Sequence, residues 1–199
     1  SVSLEQLGLD HYPKAGDKLK KPIFDVSTKL EERDRYVTWE EAMEIAGLTR
    51  EELKNIKDLL LKVDEKITQI ASKAGLENED GKIELAFDSE RKLIVVDVVG
   101  TLDECRFTYD GLHVSKEIAR QFFKKTDWFK DVEEAKKNAD VQGIRDWKKL
   151  CRSNPPMLEP KLRKIISEIY MAASNELTQK RMFDVPSLAE VVKKYRQYS

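Results

Sequence analysis

The strongest pattern along the chain is an apolar stripe that recurs every three or four positions from Leu53 to Ala74. Apolar residues at this spacing cover one face of an α-helix. The capping box Thr49-Arg-Glu-Glu52 precedes the stripe and Gly75 follows it, and these are the signals of a helix start and a helix end. The pattern therefore predicts one long amphipathic helix with a single buried face.

Shorter periodic stretches predict further helices on either side of this one. Capping boxes at Thr38-Trp-Glu-Glu41 and Ser187-Leu-Ala-Glu190 each open a helix, and an apolar stripe predicts another over 161–177. Ser115 is the expected cap of a short helix, and residues 126–155 are expected to hold two more short helices.

Alternation of apolar and polar residues replaces the helical period over 82–87, which predicts a half-buried strand. After the turn Asp88-Ser-Glu-Arg91, the run Leu93–Val99 is apolar on both faces except at Asp97, which is typical of a central strand. The two strands form a predicted hairpin, and residues 100–106 are expected to leave it as a loop.

Amphipathic helices beside a hairpin indicate the α+β class, here an antiparallel sheet packed against several amphipathic helices. A length of 199 residues suits one sizeable domain. Within it we expect an extended linker or site-lining segment over 1–37, a core of helices and hairpin over 38–125, and a helical C-terminal extension over 126–199.

Charge is abundant in the chain but balanced. The 36 Lys and Arg residues nearly match the 37 Asp and Glu residues, so the net charge is -1 at pH 7. Such a chain has no general attraction for nucleic acid or for an anionic membrane, and no apolar run approaches the length of a membrane span. The two cysteines have no metal spacing, which indicates free thiols and a cytoplasmic protein.

The hairpin carries charged residues that a strand of the core would not need. If its turn holds two or four residues, Lys82 lies opposite Asp97, and Lys82, Glu84 and Asp97 share one face. Two neighbouring carboxylates repel unless a cation lies between them, and Mg²⁺ is held by one or two carboxylates together with substrate phosphates. A cross-strand ion pair between Lys82 and Asp97 explains the same pattern equally well.

Asp103 and Arg106 follow the second strand, where loops on a rigid sheet often carry sites. Arg suits bidentate recognition of phosphate or carboxylate, although a loop salt bridge between the two residues is the simpler explanation. His11 and His113 have no metal-ligand spacing, and the chain has neither a glycine-rich phosphate loop nor a G-x-S-x-G nucleophile motif.

Taken together, these motifs resemble the C-terminal half of SAICAR synthetase, the phosphoribosylaminoimidazole-succinocarboxamide synthase family. The resemblance is carried by Asp80-x-Lys82-Ile83-Glu84, Val96-Asp97 and Thr101-x-Asp103-x-x-Arg106. Pro22-Ile-Phe24 with Ser27-Thr28-Lys29, and Ser115-Lys-Glu-Ile-Ala-Arg120, extend it over most of residues 20–125.

The resemblance implies an ATP-grasp-like C-terminal domain of an ATP-dependent ligase that joins aspartate to carboxyaminoimidazole ribotide. It implies that Glu84 and Asp97 hold Mg²⁺ and through it ATP, and that Lys82 contacts phosphate or the reacting carboxylate as the catalytic cation. The implied substrate-binding residues are Lys29, Asp103, Arg106, Lys116 and Arg120. The family's N-terminal ATP-covering domain is not in this chain, so the chain alone is expected to be inactive.

Three departures from the family pattern leave an alternative open. Val98 stands where the family has an acidic residue, Leu102 replaces a Pro, and Leu85-Ala86 replaces Phe-Gly. The alternative function is that of a non-catalytic relative that acts as a binding or interaction module. A different ATP-dependent ligase, and a homo-oligomer formed through exposed apolar surface, also remain open.

Overall fold

The computed structural model describes residues 4, 9–14, 16–29, 31 and 34–198. The parts of the predicted extended segment at 1–3, 5–8, 15, 30 and 32–33 lie outside the described residues. The chain divides into two compact units, residues 1–63 and 64–199. The prediction of one domain with three segments stays a prediction.

The first unit contains a small antiparallel strand pair, a short helix and the first part of a long helix. Strand β1 (Val26–Ser27) pairs with β2 (Tyr36–Val37), and helix α1 (Trp39–Ala46) follows. The predicted helix start at Thr38 is confirmed, because its hydroxyl accepts a hydrogen bond from the Glu41 amide at 3.1 Å, while the Glu41 carboxylate pairs with Arg35. Helix α2 (Arg50–Lys73) is the predicted long helix, and the boundary between the units falls within it.

The second unit places five strands before its helices. The strands are β3 (Glu77–Gly81), β4 (Glu84–Phe87), β5 (Leu93–Val96), β6 (Cys105–Tyr109) and β7 (Leu112–His113). The helices are α3 (Glu117–Lys124), α4 (Asp127–Gln142), a short 3₁₀ turn (Trp147–Leu150), α5 (Pro160–Thr178) and α6 (Leu188–Tyr198). The capping box that opens α6 is confirmed, since the Glu190 carboxylate accepts the Ser187 amide at 2.9 Å.

The α+β class with antiparallel pairing is confirmed, but the strands form small separate sheets rather than one. In the second unit, β3, β6 and β7 form one sheet in the order β3-β6-β7, and β4 and β5 form another. The prediction that 93–99 is a central strand is wrong for the described residues, because β5 pairs only with β4. The expected loop over 100–106 is also shorter than predicted, since β6 begins at Cys105.

The core of the second unit lies between the β3-β6-β7 sheet and the helices. It is built from fully buried residues of β6, α5 and α6, together with the end of α2 and the start of α3. Phe107, Ile165 and Ile169 are each completely buried. Because the turn before β6 and helix α5 both pack into this core, the core holds them in a fixed position relative to each other.

None of the helices in the described part of the chain combines the length and the apolar composition that crossing a bilayer requires.

Candidate functional site

The β4–β5 hairpin has a register different from the predicted one. Glu84 lies opposite Val96, and Phe87 lies opposite Leu93. The turn is the reason: the Asp88 amide donates to the Lys92 carbonyl at 3.0 Å, which leaves a loop of three residues. Arg91 adopts the left-handed conformation (φ 60°) that a three-residue hairpin loop requires at its last position. An odd loop shifts the pairing by one residue, so the predicted pairing of Lys82 with Asp97 is wrong.

Asp97 lies immediately after β5, and its backbone does not continue the strand. Its φ is 67°, and its Oδ1 accepts the amide of Val98 at 2.8 Å. Left-handed backbone at a non-glycine residue is uncommon, and Asp is one of the residues that adopt it because its short side chain bonds locally. Strand alternation therefore ends at Val96 and does not decide which way the Asp97 carboxylate points.

Lys82 and Glu84 lie side by side at the start of the hairpin. Their charged groups form an ion pair, with Nζ of Lys82 3.4 Å from Oε1 of Glu84. The Glu84 side chain is 19% exposed, whereas that of Lys82 is 44% exposed. The Lys82 amide donates to the Glu104 carbonyl at 2.9 Å and so ties this residue to the turn before β6. The pair thus offers a cation and a half-buried carboxylate on one short segment.

Asp103 and Arg106 do not pair with each other, so the simple loop salt bridge is excluded. Arg106 lies within β6 opposite Asp80, and its guanidinium lies 3.0 Å from the Asp80 carboxylate. Asp103 lies in the exposed turn before β6, and its Oδ1 accepts the hydroxyl of Tyr170 at 2.9 Å. The two residues therefore have separate partners, one on β3 and one on α5.

A buried carboxylate organises the start of α3. Glu117 accepts hydrogen bonds from Gln121 (2.7 Å) and Lys124 (3.2 Å), and the Arg120 guanidinium lies 3.5 Å from it. Burial opposes the charged form of Glu117, but these cationic and amide donors outweigh it and lower its pKa. Glu117 thereby restrains Arg120, one of the predicted substrate-binding residues.

The remaining two predicted substrate-binding residues lie elsewhere. Lys116 is the residue that precedes α3, and its carbonyl accepts the Arg120 amide at 3.1 Å. Lys29 is an exposed residue in the bend after β1, in the first unit. The six other predicted site residues and Lys116 all belong to the second unit.

Comparison with known proteins decides the family. The family model described as SAICAR synthetase matches residues 4–142. The chain belongs to the SAICAR synthetase family. A putative phosphoribosylaminoimidazole-succinocarboxamide synthase of Archaeoglobus fulgidus is 49% identical over 183 residues, which are 92% of this chain and 53% of the relative. The chain thus spans about half the length of that relative.

Solved SAICAR synthetase structures share the fold. A SAICAR synthase from Saccharomyces cerevisiae, complexed with SAICAR, matches 76% of this chain and 46% of its own with a TM-score of 0.54 at 18% identity. A type-2 SAICAR synthetase in complex with ADP matches 79% of this chain and 61% of its own with a TM-score of 0.51 at 22% identity. At these identities the likeness concerns the fold alone.

Tyr170 contacts a predicted site residue but is not itself among the residues that the sequence pointed to. In the sequence Tyr170 is one of the apolar positions of an amphipathic helix, 67 residues away from Asp103. The one available signal was its hydroxyl, because a partly buried Tyr normally finds a hydrogen-bond partner. The identity of that partner depends on how α5 packs against the turn before β6.

Proposed function

We propose that this chain is the metal- and phosphate-binding part of an ATP-dependent ligase that joins aspartate to carboxyaminoimidazole ribotide. The observation that carries the proposal is the extent of the family match, because residues 4–142 include every site residue that the sequence predicted. The chemistry is the formation of the amide bond of SAICAR in purine biosynthesis, with ADP and phosphate as the other products. A cytoplasmic location and the oligomeric state remain predictions.

Glu84 and Asp97 are the proposed ligands of Mg²⁺. Among the described residues, no group of three or more His, Cys, Asp or Glu side chains could hold a metal. Two carboxylates still fit Mg²⁺, since this ion commonly keeps waters and completes its shell with substrate phosphates. When bound, the ion would neutralise the charge of the ATP phosphates. Glu84 is half-buried, and an uncompensated charge there is costly, so its carboxylate favours a neighbouring cation.

Lys82 is the proposed catalytic cation. Its ammonium group lies beside Glu84, where it can contact a phosphate oxygen or the carboxylate that is activated. In the proposed reaction the ribotide carboxylate takes the terminal phosphoryl group of ATP, the aspartate amine attacks the acyl carbon, and phosphate leaves. Asp103, Arg106, Lys116 and Arg120 would bind the ribotide or aspartate, with Lys29 as a further cation. Positioning and charge neutralisation supply most of the catalysis in such reactions.

The test is SAICAR formation by the enzyme at its natural length, with Glu84→Gln and Asp97→Asn as variants. Each variant is expected to lower kcat/KM by about 100-fold or more, as the loss of a charge-stabilising group in a site commonly does. Glu90→Gln is the matched control, because Glu90 pairs with Lys92 at 2.5 Å in the exposed turn of the same hairpin. Its activity should stay within about twofold of the unaltered enzyme. Full turnover by both site variants would contradict the metal assignment.

A non-catalytic relative is the second candidate function, and Val98 favours it. The family has an acidic residue at this position, whereas the Val98 side chain here is 51% exposed and carries no charge. Mg²⁺-dependent ATP binding separates the two candidates. A degenerate site would bind ATP equally weakly with and without Mg²⁺, and a working site would bind it more tightly with the ion.

A further inference from the structure

Helix α5 reaches the candidate site through one side chain. This helix begins at Pro160 and so lies wholly beyond the family match, which ends at residue 142. The Tyr170 hydroxyl on α5 donates to Oδ1 of Asp103 at 2.9 Å. We propose that Tyr170 is a positioning residue, which holds the Asp103 carboxylate so that its other oxygen faces a hydrogen-bond donor of the substrate. The inference rests on the proposed function.

Tyr170 is itself held rigidly. Its neighbour Ile169 is completely buried, and Tyr170 packs against the same core cluster. Its carbonyl also accepts the Ser174 hydroxyl at 2.8 Å, within α5. The position of the Tyr170 hydroxyl is therefore set by the core and not by a mobile loop.

The turn that carries Asp103 is anchored on both sides. Leu102 is 4% exposed and belongs to the core cluster. On the other side, the Cys105 amide donates to the Thr101 carbonyl at 2.8 Å. The exposed Asp103 side chain extends from this anchored turn, and the Tyr170 hydroxyl restrains it. A fixed carboxylate loses less conformational freedom when it binds a substrate.

The electrostatic surroundings keep Tyr170 in its donating form. Burial raises the pKa of Tyr170, the hydrogen bond to Asp103 and the negative charge of Asp103 raise it further, and the positive charge of Arg120 acts in the opposite direction. Tyr170 therefore remains protonated at neutral pH and donates to Asp103.

The experiment compares Tyr170→Phe with Tyr198→Phe in the enzyme at its natural length. Tyr198 is the matched control because its hydroxyl also donates to a carboxylate, Oε2 of Glu159, at 2.6 Å. For Tyr170→Phe we expect KM of one substrate to rise about fivefold with kcat changed by less than about twofold. Tyr198→Phe should leave both constants within about 1.5-fold, and urea unfolding of both variants measures their stability.

A double-variant cycle separates positioning from a purely structural role. In the Asp103→Ala enzyme the carboxylate is gone, so adding Tyr170→Phe should change KM by less than about 1.5-fold. An unchanged KM for Tyr170→Phe, or the same fivefold rise in the Asp103→Ala enzyme, overturns the proposal. So does an equal rise for Tyr198→Phe.

The two proposals fail in different ways. If Glu84→Gln abolishes turnover and Tyr170→Phe behaves as the unaltered enzyme, only the role of Tyr170 is refuted. If the unaltered enzyme forms no SAICAR, the proposed function is refuted and the role of Tyr170 with it.

Discussion

A methyl group added at Gly81 should disturb the base of the candidate site. Gly81 lies directly opposite Cys105 in the β3–β6 pair, immediately before Lys82, and Cys105 immediately precedes Arg106. A Cβ built at Gly81 would lie 2.8 Å from Sγ of Cys105. Carbon atoms in good contact lie about 3.5–4.0 Å apart, so the two groups cannot occupy these positions together.

The cost of Gly81→Ala follows from the room that Cys105 has. Cys105 is 2% exposed and belongs to the core cluster, so its thiol cannot turn into solvent. Overpacking of this kind costs about 1–3 kcal/mol. Alanine recovers about 0.5–1 kcal/mol because it restricts the unfolded chain more than glycine does. We therefore expect the free energy of unfolding to fall by about 1–2 kcal/mol.

Urea unfolding followed by circular dichroism measures this change. With a urea slope of about 1–3 kcal/mol per molar, the midpoint should fall by roughly 0.5–1.5 M. Cys105→Ala alone should cost about 1 kcal/mol for the lost buried sulfur. In the double variant the new methyl group takes the space that the sulfur left. The destabilisation of the double variant should therefore be about 1–2 kcal/mol smaller than the sum of the two single destabilisations.

Two outcomes would refute this reasoning. One is a Gly81→Ala protein as stable as the unaltered one, which would mean that the strands separate at no cost. The other is strict additivity in the double variant, which would mean that the destabilisation does not come from the contact with Cys105.

Two further predictions concern pH. Because the pKa of Glu117 is lowered, its stabilising effect is present above about pH 4.3 and is lost as the pH falls through its folded-state pKa. Glu117→Gln should therefore cost about 1–2 kcal/mol at pH 7, and this cost should shrink as the pH is lowered toward 3 in urea unfolding, whereas the exposed Glu133→Gln should cost less than about 0.5 kcal/mol throughout. The raised pKa of Tyr170 gives the opposite pH dependence. The stabilisation that Tyr170 contributes is present below about pH 10 and declines above it. Between pH 9 and 11 the free energy of unfolding should depend less steeply on pH for Tyr170→Phe than for the unaltered protein. An unchanged slope would contradict the raised pKa of Tyr170.

Elements specified by neighbouring residues could be predicted from the sequence. The long helix, the N-cap at Thr38 and the capping boxes at Thr49 and Ser187 all form as expected, and the Thr49 amide donates to the Glu52 carboxylate at 2.8 Å. These signals act within three or four residues, so they do not depend on how the rest of the chain packs. The pairing of Lys82 with Asp97 was wrong because it depended on whether the turn has an even or an odd number of residues. The structure sets that number at three, with Arg91 in the left-handed conformation and the Asp88 carboxylate accepting the amides of Glu90 and Lys92.

The sequence by itself determined the family motifs, the amphipathic helices and the residue types of the candidate site. Only the tertiary structure decided which of those residues meet. Arg106 contacts Asp80 because β6 pairs with β3, and Asp103 contacts Tyr170 because the core holds α5 against the turn before β6. Contacts between residues 26 and 67 positions apart depend on the packing of a shared core, and no local pattern in the sequence encodes such packing.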